Sequence, residues 1–320
     1  MTKSNRGESA HDKLLAYRLA WGVRDKFGSR QRTGNQGDEE VTAIPILAPL
    51  IDFDWDGENF QLGSGFDIQQ TPDFPWDNRT VQHYLSEEER ERCGDARHWL
   101  SVLQPAQDAV SAAARVNAFL LTLWIVRPTL SHVAVRFAKS SDGVEVTRVL
   151  ERFIWIKDQA YLDVETAHLD VVRRLLGPLL SVYGNRKRLR NALALTFRGC
   201  TSRDWQSAFV CFSVAAEAML TYSRELDSNE ALAATYKKLS DRYGATSPTS
   251  VRKFKRLYQL RSEIVHGRAY QRERSPQNLI DLTEFSNLLR ELWRLTLEHS
   301  DVLEALEGAD AARREFFTAL

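Results

Sequence analysis

Between residues 251 and 268 the chain reads VRKFKRLYQLRSEIVHGR, and two of its side chains, Arg261 and His266, could do chemistry together. At 100° per residue, Val251, Phe254, Leu257, Tyr258, Ile264 and Val265 form one apolar helical stripe, with Arg261 in its middle. A guanidinium there must be paired or must line a site, because burying it unpaired costs several kcal/mol. His266 comes just before Gly267, a natural left-handed end to a helix. A helix C-terminus favours a cationic ring, and imidazole is the side chain that exchanges protons near neutral pH. Ser262, four residues before His266, shares its face and could orient the ring. The chemistry on offer is proton transfer beside a fixed positive charge.

Spacing alone does not single out this pair. Arg6–His11, Arg127–His132 and Arg294–His299 also read Arg-x4-His, and Arg92–His98 reads Arg-x5-His. Context separates them. Arg6–His11 lies in a polar terminus, and Arg127–His132 contains Pro128 and belongs to a turn. Arg294 falls on the polar side of its helix and His299 on the apolar side. Two structural alternatives remain for the favoured pair: Arg261 as a buried ion pair with Glu217 or with Glu263 of another chain, and His266 as a capping residue.

The charge is zero in the sum, 43 Lys+Arg against 43 Asp+Glu, but it is unevenly spread. From Asp38 to Arg92 there are 14 acids and 3 bases. From Arg252 to Arg274 there are 8 bases, Arg252, Lys253, Lys255, Arg256, Arg261, Arg268, Arg272 and Arg274, against Glu263 and Glu273. A second basic knot is Arg186, Lys187, Arg188 and Arg190. Such clusters suit a phosphate backbone, by releasing its counterions, or simply a solvated helix face.

Other chemistries find no motif. There is no Gly-rich phosphate loop, GxSxG elbow, HExxH or Cys/His metal cluster. Asp52, Asp54 and Asp56 alternate beside Trp55 as they would along one face of a strand, and read as a solvated edge in preference to a divalent-metal site. Cys93, Cys200 and Cys211 lack metal spacing and suit a reducing, cytoplasmic setting. The longest nearly unbroken apolar run, Val116 to Val126, is well short of the roughly 20 residues that span a bilayer. No basic stretch followed by an apolar core opens the chain, so no secretory signal is expected. The eight tryptophans read as core and interface anchors.

The elements that must position these residues fall into two styles. A helix is expected over 11–27, followed by a polar linker. The run VTAIPILAPLIDFDWDGENFQLGSGFDIQQ, broken by Asp-Gly and Gly-Ser-Gly, reads as strands and hairpins. Leu100 to Val126 reads as a helix with a possible break at Pro105. HVAVRF and the segment from Val144 to Ile156 read as another hairpin. From Val164 onward the pattern is helical: about 164–182 with an interruption at Gly177-Pro178, then 186–198, 203–225, 229–240, 250–266 with Ser250 as N-cap, 277–299 and 301–318. The expected class is α+β, an α/β N-terminal domain with β-hairpins followed by an all-α helical bundle. The expected divisions are 1–36 (helix and linker), 37–160 (mixed α/β) and 161–320 (all-α).

LYQLRSEIVHG resembles the Arg-x4-His signature of the HEPN superfamily, in particular its Apea-like members, and WQSAFVCFSVAAEAML with Glu217 is similar to the helix preceding that signature. The likeness covers roughly residues 185 to 300. It implies a helical domain that dimerises through the signature helices, so that Arg and His from two protomers meet in one cleft. It also implies a metal-independent endoribonuclease, needing no cofactor, in bacterial antiviral defence or a toxin-like response, with a neighbouring defence or antitoxin protein as a further partner. Arg261, Ser262 and His266 would then be the catalytic group. Arg252, Lys253, Lys255, Arg256, Arg268, Arg272 and Arg274 would hold RNA, and the acidic front domain would sense or gate. In active members Asn, Asp or His most often follows the Arg; here it is Ser262. The alternative is therefore an inactive HEPN dimer serving as a scaffold. A metal-dependent hydrolase at Asp52, Asp54 and Asp56 is the other rival.

Overall fold

Six strands form one antiparallel sheet: β1 (Ile44–Leu50), β2 (Phe60–Gly63), β3 (Phe66–Gln70), β4 (His98–Gln104), β5 (Val135–Ser140) and β6 (Gly143–Arg148), in the order β2-β3-β4-β1-β5-β6. The structure, a computed structural model, describes residues 44–72, 78–104, 111–140, 143–149, 163–222, 229–244, 248–267 and 276–320. The helix expected over 11–27 and its linker lie outside the described residues, as do the last residues of the expected second hairpin. Both hairpins are otherwise present. The Gly-Ser-Gly turn between β2 and β3 holds Gly63, Ser64 and Gly65 at φ of 75°, 53° and 77°, a left-handed run for which glycine is suited.

One expectation fails inside the sheet. His98–Gln104 is not the start of a helix but β4, paired with β1 from Ile44↔Gln104 to Leu50↔His98 and with β3 from Phe66↔Val102 to Gln70↔His98. Trp99 points to one face, into a cluster with Val81, Leu85, Cys93, Val135 and Phe137. Leu100 and Val102 are fully buried on the other face. A strand covered on both faces is a nearly continuous apolar run, which periodicity cannot tell from a helix. The Trp99 face is covered by two short helices, α1 (Arg79–Tyr84) and α2 (Glu87–Gly94), the latter opened by a Ser86–Glu89 capping box. Helix α3 (Ala112–Val126) lies against β4 from the other side; Arg115 donates to the Ser64 carbonyl, its guanidinium 4.7 Å from the Phe66 ring.

From Thr166 onward the described residues form helices: α4 (Thr166–Asn185), α5 (Lys187–Thr201), α6 (Trp205–Leu220), α7 (Asn229–Tyr243), α8 (Pro248–Val265), α9 (Gln277–Glu298), α10 (Ser300–Glu307) and α11 (Asp310–Ala319). Helix α4 runs through Gly177 and Pro178 without interruption. Its buried stripe of Leu169, Val172, Leu175, Leu176, Leu179 and Val182 continues across the proline, so packing on both sides outweighs one lost hydrogen bond. Helix α8 starts at Pro248, not after Ser250, with proline in the first turn where its missing N–H costs nothing. The last expected helix is two, divided at Gly308.

Residues Thr42–Leu320 cluster as one compact unit, in which α3 packs on β4, α4 and α9, and α4 itself packs on β2. Trp124 stacks on Phe212 of α6 at 6.1 Å. Arg290 of α9 donates through Nε to the Trp124 carbonyl at 2.6 Å and through Nη2 to that of Val126 at 3.0 Å. These are carbonyls that the end of α3 leaves without partners. Burial pushes this guanidinium down to about 10, still protonated at neutral pH. Within the bundle, α6, α8 and α9 share a core in which Phe209 meets Phe285 at 5.0 Å and Phe254 stacks on Tyr236 of α7 at 4.9 Å. Gly199 lets α5 approach α6, since a Cβ there would lie 2.5 Å from the Phe212 ring.

Candidate functional site

Helix α8 buries Phe254, Leu257, Tyr258 and Leu260, while Val251 and Ile264 are half-buried. The stripe ends in the open: Val265 is 58% exposed. Arg261 is drawn inward to meet α6, its Nη2 3.1 Å from Glu217 Oε2, with both side chains still about a third open to solvent (30% and 27%). Within the chain, the carboxylate that meets Arg261 is Glu217, one of the two expected. Its guanidinium lies 5.4 Å from the centre of the Tyr258 ring, and the Tyr258 phenol donates to the same Glu217 Oε2 at 2.7 Å. Arg261 Nε is buried and makes no hydrogen bond among the described residues. Nothing in local spacing announced the part of Tyr258, which reads as one more stripe residue; its only signal was a phenol where a phenyl would fill the space.

His266 closes the helix as expected. Its N–H still donates to the Ser262 carbonyl at 3.1 Å, Gly267 N–H donates to Ile264 at 3.0 Å, and Gly267 has φ of 70°. The imidazole is exposed. Ser262 shares its face, but no hydrogen bond joins the hydroxyl to the ring, because both project into solvent where neither is held. Five residues of helix place Arg261 and His266 about 140° apart around the axis and about 7.5 Å apart along it. One helix therefore cannot turn both toward one small substrate, whereas two facing helices can exchange them.

The basic residues around the pair are largely spoken for. Lys253 lies 3.0 Å from Glu284, Lys255 2.6 Å from Glu230, and Arg256 2.8 Å from Asp281 and 2.7 Å from Glu284. Burial works against the charge of Arg256, but its carboxylate partners outweigh it and hold the guanidinium above its ordinary range. The hydrogen bond from Lys255 holds Glu230 below its own. Arg252 projects into solvent and has no ion pair among the described residues, and Arg268, Arg272 and Arg274 lie outside them. In the upstream knot, Arg188 pairs with Asp310 at 2.8 Å while Glu307 accepts the N–H groups of Arg188 and Leu189, capping α5. These acids come from other helices, so a count along the chain could not find them.

No known protein family, curated protein or solved structure matches this chain.

The competing candidates recede. Asp52, Asp54 and Asp56 are exposed and alternate with buried Phe53 and Trp55, but they follow the end of β1, and Asp52 has a left-handed φ of 54°. Asp52 Oδ2 lies 3.5 Å from His132 Nδ1. Among the described residues no group of three His, Cys, Asp or Glu side chains could hold a metal ion. Arg127 and His132 flank the turn after α3, Arg294 pairs with Glu298 at 3.6 Å on the surface, and His299 packs 4.7 Å from the Tyr243 ring. Cys93, Cys200 and Cys211 are free, and burial pushes all three thiols up, Cys93 to about 11. Among the described residues no helix is long and apolar enough to cross a membrane.

Proposed function

We propose that this chain is a metal-independent endoribonuclease of the HEPN type, acting as a homodimer in the cytoplasm in bacterial antiviral defence or a toxin-like response. The observation that carries the reading is the signature helix itself: a guanidinium held at the helix flank by Glu217 and an exposed imidazole at a glycine-capped end. The two lie on different sides of α8, which suits a cleft completed by a second α8, and exposed Val265 offers apolar surface beside the histidine.

In this mechanism a ribose 2′-hydroxyl attacks the adjacent phosphorus. His266 of one protomer takes the hydroxyl proton, and the second protomer's copy of that histidine protonates the departing 5′-oxygen. Arg261 stabilises the negative charge gathering on the phosphoryl oxygens. The products are a 2′,3′-cyclic phosphate and a 5′-hydroxyl, with no metal in the cycle. Ser262 stands on the histidine's face and can hold the ring once substrate orders it. Of the bases read as RNA contacts, Arg252 is free to serve, Arg268, Arg272 and Arg274 remain candidates, and Lys253, Lys255 and Arg256 would have to leave carboxylate partners. The acidic strand-bearing half is assigned a sensing or gating role, with a neighbouring defence or antitoxin protein as a further partner.

A second reading, an inactive HEPN dimer used as a scaffold, is favoured by that same neutralisation of the bases and by Ser262 in place of the more usual residue. The deciding experiment incubates purified wild type and His266→Ala with mixed RNA in EDTA and analyses fragment ends. Cyclic phosphate ends from wild type alone support the ribonuclease. Equal cleavage by both sinks the assignment to His266, and silence from wild type and from residues 161–320 alike supports the scaffold, whereas cleavage by residues 161–320 alone supports an enzyme gated by its front half.

A further inference from the structure

Tyr258 sits one turn before Arg261 and is 4% exposed. A phenyl would fill that place equally well, whereas a buried phenol must find an acceptor. It finds Glu217 Oε2 at 2.7 Å, the oxygen that also lies 3.1 Å from Arg261 Nη2, while its ring lies 5.4 Å from the same guanidinium. One tyrosine thus touches both members of the ion pair, with its hydroxyl on the anion and its face on the cation. If the carboxylate turned away, both donors would lose the one oxygen they share.

We propose that Tyr258 is a positioning residue for the reaction assigned above: its hydroxyl locks the Glu217 carboxylate, and the locked carboxylate and the ring together fix the plane of the Arg261 guanidinium toward the scissile phosphate. The inference rests on the ribonuclease reading. A guanidinium has five N–H donors in a rigid fork, so holding one edge sets the direction of the rest. Glu217 and Tyr258 touch no reacting atom; they act through Arg261. Without them the arginine still binds phosphate, but in many orientations, only a few of which serve the transition state.

The test compares full-length wild type, Tyr258→Phe, Glu217→Gln and the double variant in metal-free saturation kinetics on a fluorogenic RNA. Tyr258→Phe keeps the ring and removes only the oxygen. The expected result is a kcat lowered about tenfold by each single change, with KM within about twofold and the unfolding midpoint of Tyr258→Phe unchanged. The double variant is expected to be no slower than the slower single, because both break one device. Effects that multiply to about a hundredfold, or a loss that appears in KM alone, would overturn the inference. Tyr258→Phe cleaving like wild type while His266→Ala is inactive overturns this inference and leaves the ribonuclease reading standing. No cleavage by wild type overturns both.

Discussion

Arg313 and Arg261 are both arginines drawn into the helical part of the chain, and they are held by opposite kinds of partner. Arg313 is completely buried and donates to main-chain carbonyls, Leu306 at 3.0 Å and Met219 at 2.8 Å, with Thr221 as a third. Burial, with Arg188 nearby, pushes it down to about 10, so it stays charged at neutral pH. It closes the ends of α6 and α10. Arg261 is partly exposed and leans on one side-chain carboxylate that a tyrosine also holds. A main-chain carbonyl is part of the fold and cannot be exchanged for a solute. A carboxylate at the surface can share its cation with an incoming phosphate. The partner, more than the depth of burial, separates a guanidinium that builds the fold from one that is available for chemistry.

Exchanging the two losses breaks or sharpens that contrast. On the ribonuclease reading proposed above, Arg261→Ala is expected to lower RNA cleavage roughly 10²–10³-fold while changing unfolding free energy by no more than about 1 kcal/mol, read by kinetics and chemical denaturation side by side. Arg313→Met should do the reverse. Leaving buried carbonyls without a donor costs about 3 kcal/mol or more of stability, and the folded fraction should cleave RNA normally. Equal stability losses from the two variants would erase the distinction. Gly267→Ala is a smaller probe of the same helix: a side chain there meets open space, but its φ of 70° strains any L residue by roughly 1–2 kcal/mol. Amide exchange in the last turn of α8 should quicken, and cleavage should fall several-fold. The smallest effect belongs to the Tyr243–Asp301 contact, where the tyrosine hydroxyl holds the carboxyl below its ordinary value. A carboxyl lowered on folding adds stability that is full above about 3.9 and lost as pH falls through the lower folded value. Tyr243→Phe should therefore cost about 0.2–1 kcal/mol at neutral pH and nothing in strong acid, seen in denaturation curves across pH.

How much of this was legible depended on whether the signal was local. The helices after residue 164 each carry their own apolar stripe, and Arg261 could be placed on one by counting residues. Both hairpins were marked by their turn glycines and Asp-Gly steps. β4 was not legible, because burial of Trp99 on one face and of Leu100 and Val102 on the other removed the alternation that identifies a strand. The passage of α4 through Pro178 was hidden because partners elsewhere in the chain decide whether one missing hydrogen bond matters. At the candidate site, the ends of α8 were readable but its charge balance was not. Asp281, Glu284 and Glu230 neutralise its bases from other helices, and only the folded chain brings them together.

The clamp of Arg290 on the end of α3 spans 166 residues from Trp124. A nascent chain leaving the ribosome exposes those last carbonyls on the order of ten to thirty seconds before their donor is made. Until then water must satisfy those carbonyls, and α3 lies against the sheet and α4 without its tie to α9. A chain halted in that interval would present the uncapped end of α3 to whatever chaperone or protease meets it first.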